Sequence, residues 1–127
     1  MNARPVHLVL DTSAVIAYTT TIDVGETINE VSDNGGGYAV PVVCLAEAAQ
    51  VVPIDVLDLL VGNEAATLTG LAPDEWRALA AMRALLGRVD VAAAFAAAEA
   101  NACDILTAEP KLYAPLGDDP PIISIDS

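Results

Sequence analysis

Apolar and polar positions change rhythm several times along the chain, and each change marks an element. Val6–Leu10 shows no regular polar alternation, as expected of a strand buried on both faces of a parallel sheet. Thr12-Ser13 suits the cap of a helix over Ala14–Thr20. Val24, Ile28 and Val31 recur at helical spacing through Asp23–Ser32, and Asn34-Gly35-Gly36-Gly37 ends that helix. Tyr38–Val40 predicts a short strand, and Pro41 suits the start of a helix over Val42–Val52. Pro53 stops that helix, Ile54–Val61 adds an amphipathic turn or two, and Ala65–Leu68 reads as another short strand.

Pro73 opens a long helix to about Leu86, with Asp74 and Glu75 in its first turn and Gly87-Arg88 after it. Trp76, Leu79, Ala80 and Leu86 read as its core face. Asp90 is placed to cap an alanine-rich helix, Val91–Ala100. Ile105–Thr107 predicts a strand, Pro110–Leu116 a short helix, and Ile122–Ile125 a last strand. Strands alternating with helices indicate an α/β fold with a mainly parallel sheet. The 127 residues suit one domain, with no linker and no internal repeat.

Composition narrows this picture. An apolar fraction of 54% excludes a disordered chain, and no apolar run reaches the roughly 20 residues of a membrane span. The start, Met1-Asn2-Ala3-Arg4-Pro5, lacks the long apolar segment of a secretory leader, so a cytoplasmic location is expected. Cys44 and Cys103 read as small, separately buried thiols. A single histidine excludes a zinc site of the usual Cys/His spacing. The net charge of −13 comes from eighteen acids against five scattered bases (Arg4, Arg77, Arg83, Arg88, Lys111), so the electrostatic footprint of an ordinary nucleic-acid binder is missing.

Four acids stand where a small α/β fold must account for a carboxylate. Asp11 ends the first strand, and ligands in parallel sheets gather at the carboxyl ends of strands. Glu47 lies among Val43, Cys44, Gln50 and Val51 on its helix; unpaired and buried there it would cost several kcal/mol, whereas on an exposed flank it would cost nothing. Asp90 and Glu109 precede helical segments, and Glu109 follows strand Ile105–Leu106 at a second carboxyl end. Acids gathered from distant parts of a chain need a proton or a cation. Asp104 precedes its strand, about 10 Å from Thr107, and is expected at the opposite sheet edge. His7 is expected to be packed within the first strand. The triple glycine lacks the Lys-Ser/Thr of a phosphate loop.

The blocks Leu8-Val9-Leu10-Asp11-Thr12-Ser13-Ala14, Val40-Pro41 with Leu45-Ala46-Glu47, and Asp90 through Ile105-Leu106-Thr107-Ala108-Glu109 together resemble the PIN-domain nucleases, particularly VapC-like toxins. The resemblance spans essentially the whole chain. It implies a three-layer αβα sandwich and an endoribonuclease in which Asp11, Glu47, Asp90 and Glu109 bind Mg²⁺ or Mn²⁺, with Thr12, Ser13 and Thr107 orienting the cluster. It further implies a toxin restrained by an antitoxin, whose basic tail would suit this acidic chain, and a homodimer. Glu109 departs from the aspartate usual at that place; the extra methylene could shift a reacting water by about an ångström, worth roughly 100-fold in rate.

Two functional classes follow. One is a metal-dependent ribonuclease acting on RNA phosphodiesters. The other is a PIN-like acidic module that no longer cuts RNA and binds a protein partner. Asp11→Asn is expected to abolish activity and, by relieving repulsion between acids, to leave the fold unharmed or slightly stabilised.

Overall fold

The computed structural model describes residues 4–125. The reading of the chain start at Met1-Asn2-Ala3 lies outside the described residues. Five strands form one sheet: β1 (Val6–Leu10), β2 (Gly37–Pro41), β3 (Ala66–Thr69), β4 (Asp104–Thr107) and β5 (Ile122–Ser124). Their order is β3-β2-β1-β4-β5, and every neighbouring pair is parallel. Six helices connect them: α1 (Thr12–Ala17), α2 (Ile22–Asp33), α3 (Val42–Ala48), α4 (Ile54–Val61), α5 (Trp76–Leu86) and α6 (Val89–Asn101). Pro73–Glu75 and Pro110–Leu116 form 3-10 turns.

The side chains of the central strands alternate between two cores, and this makes the molecule three-layered. Leu8, Leu10, Tyr38, Val40 and Leu106 face one core with Ala14, Val24, Ile28, Leu57 and Leu60. Val9, Ala39 and Ile105 face the other, against Val91, Ala94, Ala98 and Tyr113. Period-two alternation with apolar residues on both faces is what burial between two helical layers demands. The α6 helix lies close on the sheet because its inner face is alanine: Ala92, Ala94 and Ala98 are at most 1% exposed. The fold is therefore an αβα sandwich around a parallel sheet.

Several expected elements differ in detail. The helix after Pro41 ends at Ala48 and gives way to turns before Pro53, whereas the apolar pattern ran on to Val52. The long helix begins as a 3-10 turn at Pro73 and becomes α-helical at Trp76. Trp76 is 59% exposed, with Arg77 stacked 4.6 Å from its ring centre, so it is not core; of the expected face only Leu86 is buried. His7 is exposed on β1, and its ring lies so close to Gly36 that a Cβ there would collide with it. Asp104 sits opposite Leu8 at the start of β4, at the far edge from Thr107, as its place before the strand implied.

Candidate active site

Two strand ends, those of β1 and β4, and the start of α6 build the site. Asp11 directly follows β1, and its backbone N–H continues the ladder to Leu106 at 3.3 Å. Its side chain caps α1 by accepting from Ala14 N–H at 2.9 Å, so Asp11, rather than Thr12 or Ser13, is the capping residue. That role does not exhaust it. The same oxygen, Oδ1, accepts from the Ser13 hydroxyl at 2.7 Å, and Oδ2 accepts from the Tyr113 hydroxyl at 2.8 Å. Asp11 is 1% exposed and holds three donors.

Asp90 comes from the other half of the chain. It does not cap α6; Arg88 occupies that place and Asp90 lies in the helix's first turn. There the peptide dipoles favour a negative charge. Asp90 is 3% exposed, and its carboxylate is gripped by Arg88: Nε donates to Oδ1 at 3.1 Å and a terminal nitrogen to Oδ2 at 2.7 Å. Thr12 donates to the same Oδ2 at 2.6 Å, which ties the residue after Asp11 directly to Asp90. Burial opposes the charge, but the Arg88 and Thr12 hydrogen bonds outweigh it and hold the Asp90 carboxyl below its ordinary range.

Thr107 and Ser13 join the two halves of the site. Their hydroxyls lie 3.1 Å apart. Ser13 Oγ also accepts from Ala108 N–H at 2.9 Å, and Thr107 Oγ1 accepts from Glu109 N–H at 3.0 Å. The corner after β4 is thereby locked to the corner after β1. Thr12, Ser13 and Thr107, the expected orienting residues, hold the carboxylates and the β4 corner in place.

Glu47 and Glu109 stand apart from this buried network. Cys44 and Ala48 fill the inward face of α3, which leaves Glu47 on the outer flank and exposed. The buried, unpaired position considered for it does not arise. Glu109 is also exposed, although its charge, with that of Asp11, acts on Arg88 and favours the guanidinium's charged form. Among the described residues neither glutamate's side chain has a hydrogen-bond or ion-pair partner.

Arg88, Tyr113 and Cys44 belong to the site although no motif marked them. Tyr113 is fully buried, and burial together with the Asp11 carboxylate pushes its phenol well above the ordinary value, so it remains a proton donor to Asp11. Burial pushes the Cys44 thiol up to about 12, and it donates to the Asp90 backbone carbonyl at 3.2 Å. A neutral thiol of that kind is a poor nucleophile.

In kind, the donor set suits a hard divalent cation: carboxylate and hydroxyl oxygens at the carboxyl edge of a parallel sheet. Among the described residues, however, no three Asp, Glu, His or Cys side chains are grouped closely enough to hold a metal ion as they lie. The cation that Asp90 does hold is the Arg88 guanidinium.

No protein-family model matches the chain, and no curated protein matches it significantly. Among solved structures, the crystal structure of PAE2754 from Pyrobaculum aerophilum aligns with a TM-score of 0.60 at 16% identity, over 97% of this chain and 92% of that one. At such low identity the likeness concerns the fold, and it agrees with the three-layer sandwich. Among the described residues no helix is long and apolar enough to cross a membrane.

Proposed function

We propose that the chain is a metal-dependent endoribonuclease of the PIN-like kind, centred on Asp11 and Asp90, and the toxin of a toxin–antitoxin pair. One observation carries this reading: two carboxylates from opposite halves of the chain, both at most 3% exposed, lie at the carboxyl edge of the sheet, and the hydroxyl of Thr12, the residue after Asp11, bonds Asp90. A merely structural cap needs neither a second buried acid nor a brace to it. The resemblance of the three sequence blocks to PIN-domain nucleases points the same way.

Asp11 and Asp90 would hold Mg²⁺ or Mn²⁺ from the buried side, with Glu109 and Glu47 on the solvent side. A bound divalent cation would supply Lewis acidity toward an RNA phosphodiester and a more acidic water. Ser13, Ala14 N–H and Tyr113 fix the Asp11 carboxylate, so its orientation is set before any ligand arrives. The Thr107–Glu109 hydrogen bond fixes the backbone from which Glu109 projects. Cytoplasmic action on RNA and restraint by a basic-tailed antitoxin belong to the same proposal, as does pairing into a homodimer.

The second reading, an acidic partner-binding module without nuclease activity, is favoured by the Arg88–Asp90 pair and by the charge of −13. Cleavage of a mixed RNA pool in Mn²⁺ by wild type and by Asp11→Asn separates the two. The nuclease reading expects endonucleolytic products from wild type and at least about a 100-fold loss in the variant. Equal products from both proteins would overturn the site centred on Asp11, and none from either across varied RNA would favour the module.

A further inference from the structure

We infer that Arg88 is a built-in counter-cation that occupies the acid cluster in place of a divalent ion, so that metal binds only as the Arg88 side chain leaves Asp90. The inference rests on the cation-site reading proposed above and adds to it a competitor within the chain.

Three observations converge. The guanidinium meets both Asp90 oxygens in a fork, at 3.1 and 2.7 Å, the geometry in which arginine recognises a carboxylate most strongly. The fork and the Thr12 hydroxyl together take three of the roughly four acceptor sites of the Asp90 carboxylate, so a metal that grips both oxygens must displace Arg88. Next, the charges of Asp90, Glu109 and Asp11 all act on Arg88, so the guanidinium stands where the field of the three acids is shared. Finally, Arg88 itself is a rim residue. Its side chain is 44% exposed whereas that of Asp90 is 5% exposed, so Arg88 can swing into water while Asp90 stays in place.

The chain's composition makes this placement telling. Only five residues are basic against eighteen acidic, and one of the five is two positions from the most deeply paired carboxylate. The α5–α6 joint holds it there. Gly87 ends α5 in the left-handed conformation (φ +87°), and Arg88 follows in extended backbone as the first flank of α6. A buried Asp90 without a partner charge would be costly, and Arg88 removes that cost without any metal. The arginine therefore lets the fold form metal-free while setting a threshold concentration for occupancy of the site.

The test is Mn²⁺ titration by calorimetry into the full chain, wild type against Arg88→Gln, alongside thermal unfolding of both in chelator and in Mn²⁺. Arg88→Gln is expected to bind Mn²⁺ at least about 10-fold more tightly, the change expected on losing a competing charge-assisted pair. Its unfolding midpoint is expected to fall below wild type in chelator and to regain more than wild type does on adding Mn²⁺. Equal or weaker binding by Arg88→Gln, with wild type still binding, would overturn the competitor role and leave the cation site standing. No binding by either protein would overturn both. If Arg88→Gln does not fold, Arg88→Lys, which keeps the charge without the fork, is expected to bind more tightly than wild type; no gain would overturn the inference.

Discussion

Asp11 and Asp90 reach burial by different means, and the difference fixes what each substitution should do. Asp11 is held by neutral donors, two hydroxyls and a backbone N–H, whereas Asp90 is held by a charged fork and one hydroxyl. Tyr113→Phe removes the donor to Asp11 Oδ2 and leaves a buried carboxylate oxygen unpaired. Urea unfolding should show a loss of about 1–3 kcal/mol, and a variant as stable as wild type would mean that the oxygen finds another donor. The same network revises the expectation for Asp11→Asn. Its charge is already met by three donors, so the amide, which offers N–H toward the Tyr113 hydroxyl, should cost stability rather than gain it. Position along the chain makes Asp11 legible in the sequence, since the end of a doubly buried strand is a place where few residue types are tolerated without purpose. Arg88 and Tyr113 are not legible in that way. Each lies outside the motif blocks, and only the folded chain shows which of three tyrosines and five bases points at a buried acid.

At the level of elements, the first strand is read well because an apolar run without alternation is a strong signal: Val6–Leu10 has the expected bounds, as does the short α4 helix, Ile54–Val61. Helices fare worse where apolar residues serve turns. Val51 and Val52 extend the pattern of α3 past Ala48, yet Val51 is 69% exposed and the chain has already turned. On α5, helical spacing suggested a core face for Trp76. Periodicity alone cannot tell an inward stripe from an outward one, and here most of the helix faces solvent. The α5–α6 joint is the element boundary that matters for the site. A Cβ at Gly87 would meet nothing within 4 Å, so the cost of Gly87→Ala is conformational alone. It should destabilise by about 1 kcal/mol, measured by chemical denaturation. A loss several times larger would mean that the joint moves and takes the Arg88–Asp90 pair with it.

The whole molecule carries a charge of −13, and any divalent cation will collect around it whether or not a site exists. A control must therefore change the cluster while leaving that charge almost untouched. Asp11→Asn does so, since one acid fewer takes −13 to −12. The parallel α/β sheet, read from alternating strands and helices, and its three-layer packing, shared with a structure 16% identical, supply the sheet edge at which such a cluster can work. They do not by themselves supply the chemistry. The most direct measurement is calorimetric titration of Mn²⁺ into wild type and Asp11→Asn at matched ionic strength. The proposed site predicts a saturable, near-stoichiometric event in wild type, weakened by Arg88 yet measurable at millimolar metal, and its disappearance in the variant. The same shallow, unsaturable heat in both proteins would contradict it, because diffuse attraction to an acidic surface would then account for all the binding.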